Sequence, residues 1–579
     1  MVLALCGSLV PAVGARAAQT GRAAPVPLER LFDNRAVGDD SRPAAADFDG
    51  AGAFLPARDL TAAGWTPGRA LTVQGARLVW PKRRPGEPDN VRAAGQDVAL
   101  AGRGDALAFL VAGTAGRPVA GSGTVTYADG TRSGYRLTVP DWRTGPLATK
   151  AVALPHIGTP AGRLTERARL YVVTAPLVPG RAVASVRLPN TPDTHVFALS
   201  VRTATRGWTG TWGTATGGHG PVGPWTDRTL RLVVRTSAGG SRVRVRFDNT
   251  FAGAPVRIGG ATVAVRASGA AARGAPARLS FGGAAGVRIP AGAQAYSDPL
   301  RFTVPAGADL LVSFHLPGTV SAVPLHRLAR QRSYVSGPGD RTADRSAGAY
   351  TSVITSRPLL AGVDVGGGPG SVVLLGDSIT DGEKSTADAD RRWPDVLARR
   401  LLRQDAVPRY GVLNAGISGN RVTGDRYPGD GVSTDAAGVS AQHRFDRDVL
   451  AQPSVRTAVV LEGVNDLRWG VPAEQVIAGL RDLADRGRAR GVRMLGATIP
   501  PCGGEARCTA AVDAERLEVN RWIRRGGVFD GVLDFDAVVR DPARPSRLLP
   551  AYDSGDHLHP GDRGLAALAH SVDLRLLRP

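Results

Sequence analysis

Short runs in which apolar residues alternate with polar or basic ones fill the first two thirds of the chain. Gly123-Thr124-Val125-Thr126-Tyr127, Leu230-Arg231-Leu232-Val233-Val234-Arg235 and Val243-Arg244-Val245-Arg246-Phe247 largely keep the period of two that turns one strand face inward. Turn residues such as Ala128-Asp129-Gly130 separate the runs, and helical periodicity is sparse. This pattern predicts two N-terminal all-β sandwich domains, over 28–203 and 204–365. The stretch Gly366-Gly367-Gly368-Pro369-Gly370 then reads as a joint. From Ser371 the period changes. Strand-like runs (371–375, 457–461, 492–497) alternate with helical patterns (393–402, 473–488, 512–525). That alternation predicts a C-terminal α/β domain over 366–579, with a parallel sheet covered by helices.

Length and charge adjust this picture only slightly. At 579 residues the chain exceeds what one core can serve, and roughly three or four domains are expected. The formal net charge is +21, yet lysine occurs only at 82, 150 and 384, and the remaining basic residues are arginines spread along the chain. Without a basic helix or interleaved aromatic platform, the charge reads as an arginine-biased, solvated surface, and nucleic acid is not expected as a partner.

Residues 1–27 hold an apolar run followed by small residues around Ala15-Arg16-Ala17-Ala18, the pattern of a secretory signal peptide without its basic start. No later stretch reaches the ~18 apolar residues of a transmembrane segment. Cys502 and Cys508, with five residues between them in a glycine-containing loop, suit a disulfide in an oxidising compartment. The expected location is extracellular.

The candidate chemistry gathers in the last third. Acyl transfer needs a nucleophile, a base, a group that orients the base, and donors for the developing oxyanion. Ser378 follows the run Val372-Val373-Leu374-Leu375 within Gly376-Asp377-Ser378-Ile379-Thr380. The blocks Gly416-Ile417-Ser418-Gly419 and Gly463-Val464-Asn465-Asp466 each follow a further apolar run, and Asp556-His557-Leu558-His559-Pro560 lies near the C-terminus. In open α/β sheets ligands bind where such strands end. Asp377 reads as a turn cap, and Asp466 as a residue that fixes the Asn465 amide. Of the two histidines, His559 is preferred as base. A spacing of three lets it converge with Asp556, whereas neighbouring side chains diverge. A metal held by His557, His559 and Asp556 is the weaker reading beside a serine block, and no metal and no cofactor are expected.

Four such blocks in this order make 371–579 resemble the GDSL or SGNH hydrolases. The resemblance implies a flavodoxin-like fold and a serine esterase that works through an acyl-enzyme. It makes Ser378 the nucleophile, His559 the base and Asp556 its orienting acid. The oxyanion hole would comprise the N–H groups of Ser378 and Gly419 and the side-chain amide of Asn465. Ile379 stands where the GDSL name has leucine, an apolar exchange.

Residues 32–200 resemble galactose-binding-like sandwiches appended to secreted glycan-active enzymes. The block 208–365 is similar to the sandwich that precedes the hydrolase domain in larger members. The expected substrate is therefore an ester, on an acetylated glycan or a lipid, with polysaccharide held by the N-terminal sandwich. The alternatives are a lipase or lysophospholipase and, in another class, a glycan-binding protein with an inactive hydrolase domain.

Overall fold

Residues 24–203, 207–426 and 437–579 are described by a computed structural model. Most of the signal-peptide-like segment expected at 1–27 lies outside them.

In the first block a five-stranded sheet (Lys150–Leu154, Ala168–Pro176, Ala106–Gly113, Asn190–Arg202, Val91–Ala94) faces a four-stranded one (Asp97–Arg103, Ala182–Arg187, Val119–Tyr127, Arg132–Val139). Leu107, Phe109 and Val111 pack into that interface against Val125, Tyr127 and Leu137. Their neighbours Ala108, Leu110 and Ala112 face a second core with Phe48, Trp65, Trp80 and Trp142. Covered on both sides, Ala106–Gly113 is buried throughout, which is why it shows no alternation.

The second block packs two seven-stranded sheets around Leu230, Leu232, Val243, Val245, Phe247, Val312 and Phe314. Two 18-residue strands, Gly218–Arg235 and Asp309–His326, pair along their length. One sheet also takes in a hairpin from the first block, Ala70–Val73 with Ala76–Val79, through the pairing of Gln294 with Thr72. The Trp65 indole donates to the Ala291 carbonyl at 2.9 Å across the same boundary. The two sandwiches therefore share a sheet and a core edge.

The C-terminal block is a five-stranded parallel sheet in the order Gly411–Gly416, Ser371–Gly376, Val455–Leu461, Arg493–Ala497, Gly531–Leu533. Alternate residues feed opposite layers. Val373, Leu375, Ala458 and Val460 meet helices Ala473–Arg488 and Ala510–Arg525. Val372, Leu374, Val459 and Leu461 meet Trp393–Leu402 and Asp562–Ser571. The strand that leads into Ser378 has the second strand on one side and the third on the other. Its C-terminal end is thus the switch point at which such sheets open a crevice.

The sheet and the second sandwich meet along a glycine seam. Strand Trp208–Gly213 lies against Gly411–Gly416, and a Cβ on Gly411 would overlap the carbonyl of Gly210. Polar side chains lock the seam. Gly210 N–H donates to Ser371 Oγ at 2.9 Å, and Val412 N–H to Ser237 Oγ at 2.8 Å.

The arginine-rich composition corrects one expectation. Arg231, Arg444 and Arg516 are among the largest fully buried side chains, so part of the positive charge is interior rather than solvated, ion-paired at Arg444 and Arg516 and held by backbone carbonyls at Arg231. Among the described residues no helix is long and apolar enough to cross a membrane.

Candidate active site

Ser378 opens a single helical turn, Ser378–Asp381, directly after its strand. Asp377 caps the turn, its carboxylate accepting the Ile379 N–H at 2.9 Å, as its place in the motif predicts. Gly382, at φ 98°, ends it. The serine is thereby held at the mouth of the crevice with little freedom.

The loop before the last long helix brings up the imidazole. Asp556 Oδ1 accepts the N–H groups of Leu558 and His559 at 3.1 and 2.9 Å, while Oδ2 lies 2.8 Å from His559 Nδ1. His559 Nε2 lies 2.8 Å from Ser378 Oγ. A carboxylate only accepts, so Nδ1 carries the hydrogen and Nε2 presents its lone pair to the serine hydroxyl. Burial pushes the Asp556 carboxyl up. The His559 N–H, the imidazole and the Leu558 N–H outweigh that and hold it well below the usual carboxylate range. His557 turns away to Asp553, 2.6 Å from its Nδ1. The two histidines therefore do not share a metal geometry.

Gly419 and Asn465 line the same cleft of about 420 Å³ as Ser378 and His559. Gly419 has φ +81°, a conformation that L side chains rarely adopt. The Asn465 amide is fixed at both ends: Nδ2 donates to the Asn420 carbonyl at 2.9 Å, and Oδ1 accepts from Arg468 at 3.1 Å. Arg468 is in turn gripped by Glu505 at 3.0 and 2.8 Å. Glu505 lies in the loop closed by the Cys502–Cys508 disulfide. Asp466 was expected to set the Asn465 amide. Its carboxylate instead accepts from Val422 N–H, Thr423 N–H and Thr423 Oγ, and so anchors the segment that follows the glycine loop.

Three residues behind the site carry no sequence signal that marks them. Arg444 is fully buried and donates to the carbonyls of Gly376 and Ala415 and to Asn420 Oδ1, fastening the ends of two strands to the glycine loop. Glu462 lies 3.3 Å from Arg444, and burial, with Asp377 nearby, raises its carboxyl well above the ordinary value. Asp381, also buried, accepts from Ser418 N–H and Oγ, both at 2.9 Å. Burial pushes Asp377 itself up to about 7. A second cavity, about 490 Å³, lies between the first sandwich and the C-terminal block and contains none of these groups.

Residues 374–567 match the family model of the GDSL-like lipase/acylhydrolase family, and residues 22–205 that of the AziU2-like beta-sandwich domain. No curated protein matches the chain. Among solved structures it is similar to a putative lipolytic protein of the G-D-S-L family from Desulfitobacterium hafniense, at 21% identity over 35% of this chain and 96% of that one, with a TM-score of 0.27. It is also similar to a catalytic mutant of the acetylxylan esterase Axe2 from Geobacillus stearothermophilus, at 20% identity over 36% and 93%, with a TM-score of 0.28. A GDSL-like lipase from Bacteroides thetaiotaomicron matches at 16% identity over 36% and 87%, with a TM-score of 0.27. Residues 374–567 thus form a GDSL-like lipase/acylhydrolase domain, a carboxylic ester hydrolase, carried behind N-terminal β-sandwich structure.

Proposed function

We propose that this protein is a secreted serine esterase with a Ser378–His559–Asp556 triad, acting on short acyl esters of a polar alcohol such as an acetylated carbohydrate. Ser378 Oγ attacks the acyl carbon while its proton passes to His559 Nε2, and Asp556 stabilises the resulting imidazolium. The N–H groups of Ser378 and Gly419 and the Asn465 amide receive the oxyanion. His559 returns the proton to the leaving alcohol. Water, deprotonated by the same nitrogen, then releases the acid and regenerates Ser378.

The observation that carries this reading is the unbroken relay of 2.8 Å contacts from Asp556 through His559 to Ser378. It also weighs against an inactive hydrolase domain. The cleft wall favours a polar substrate over a lipid chain, since Arg327, Asp381, Glu383, Ser418, Arg426 and Arg468 contribute to it. The Cys502–Cys508 bond supports an oxidising compartment.

Ser378→Ala is expected to lower kcat on a chromogenic acetate ester by about 10⁴-fold or more. Turnover equal to the parent chain would sink the triad. Activity that rises with acyl length would favour the lipase alternative. Polysaccharide attachment by the first sandwich is a separate proposal. Trp65, Trp80 and Trp142 are interior, so polar surface groups would have to make the contact. Retention of the inactive full chain on insoluble acetylated xylan, compared with a column without glycan, tests it; equal elution from both removes it.

A further inference from the structure

The second sandwich reaches into the cleft of the C-terminal block. His326 ends the long strand Asp309–His326 and is 3% exposed. With Arg327 and Leu328 it lines the wall facing Ser378. Its Nδ1 lies 3.0 Å from the Ala215 carbonyl; its Nε2 lies 2.9 Å from the Leu328 carbonyl and 3.0 Å from Asp381 Oδ1. All three partners are hydrogen-bond acceptors, so they fix the ring's position from both of its nitrogen edges.

Asp381 is the hinge of this arrangement. It closes the helical turn that Ser378 opens. Its second oxygen accepts both the N–H and the hydroxyl of Ser418, the residue before Gly419. One buried carboxylate thus ties the turn of the nucleophile to the glycine loop. The imidazole in contact with it comes from another block of the chain. Arg357 and Arg392 add positive charge at longer range. A buried carboxylate that loses its hydrogen-bonded partner finds new contacts, and here the contacts at risk are those that aim the Gly419 N–H.

We propose that His326 is a positioning residue of the active site: through Asp381 it holds the Ser418–Gly419 loop in oxyanion-binding geometry, which makes the second sandwich part of the catalytic apparatus. The inference rests on the triad reading above. Oxyanion donors act only at the position where charge develops, so a loop displaced by a fraction of an ångström loses transition-state stabilisation while still binding the ester.

In the full chain, His326→Ala is expected to lower kcat on an acetate ester by about 10-fold or more while KM changes less than about 3-fold. Ser237→Ala is the matched control. It removes a buried contact between the same sandwich and strand Gly411–Gly416, near the end away from the cleft, and should leave kcat within about 2-fold. A His326→Ala kcat equal to that of Ser237→Ala overturns the proposal. If His326→Ala folds poorly, His326→Gln is assayed instead, with active sites counted by stoichiometric phosphonate labelling of Ser378. A reduced kcat per labelled site supports the role, and a parental value per site overturns it. The controls separate the two readings: turnover surviving Ser378→Ala fails the triad, whereas loss with Ser378→Ala and none with His326→Ala fails only this inference.

Discussion

Two aspartates within one site lie on opposite sides of the ordinary carboxylate range. Asp377 is buried behind the serine and is pushed up to about 7, so its neutral form is favoured in the fold. As pH rises from the usual value toward 7, the unfolded chain releases this proton and the folded chain keeps it. Stability therefore falls across that window. Asp377→Asn keeps an acceptor for the Ile379 N–H and carries no charge. It should be more stable than the parent at pH 8, by on the order of a few kcal/mol, with the difference vanishing near pH 4 in denaturant titrations. Asp556 behaves oppositely: its lowered carboxyl contributes stability above the usual value, and that contribution is lost as pH falls through the folded one. Ser378, His559 and Asp556 were legible in the sequence because each sits in a short local motif. Asp381, Arg444 and His326 were not. Their partners lie 37, 68 and 55 residues away, and an arginine-rich composition hides a buried arginine among many.

At the scale of elements, periodicity located the third block closely. Trp393–Leu402 and Ala473–Arg488 run over the residues their apolar spacing marks; Ala510–Arg525 and strand Val455–Leu461 each start two residues earlier than expected, and the edge strand Gly531–Leu533 was not among the expected runs. The sandwiches were legible as strands, whereas the strand partners were not. Nothing local in Ala70–Val79 shows that its hairpin extends a sheet built more than two hundred residues later. The seam between strands Trp208–Gly213 and Gly411–Gly416 depends on missing side chains, and a missing side chain leaves no periodic mark. A Cβ on Gly210 would lie 2.8 Å from Leu413 Cδ1 and 3.2 Å from Ser371 Oγ. Gly210→Val should cost about 1–3 kcal/mol and lower the Tm, whereas Gly318→Val, where nothing lies within 4 Å, should change stability by less than about 0.5 kcal/mol.

Across the whole molecule, polar contacts tie the first sandwich to the C-terminal block, among them the ion pair of Arg490 with Asp105 at 3.5 Å. Asp446 receives Arg486 at 2.8 Å, Arg490 at 3.4 Å and the hydroxyl of Thr174 at 2.8 Å. Burial would raise its carboxyl; Arg490, Arg486 and Arg202 outweigh burial and lower it. Asp446→Ala would leave buried arginines without this counter-charge. It should destabilise the chain by about 3–5 kcal/mol, measured by chemical denaturation.

The small disulfide loop has a consequence of timing. Cys502 and Cys508 close the loop that carries Glu505, Glu505 grips Arg468, and Arg468 holds the oxygen of the Asn465 amide. A chain newly made among cellular thiols would have this loop open and the Asn465 amide unbraced. Cys502→Ser should accordingly retain the fold by circular dichroism yet lose about 10-fold in kcat, since the proposed oxyanion donor Asn465 loses its brace. Under the proposed mechanism, ester cleavage would then depend on the two thiols having joined.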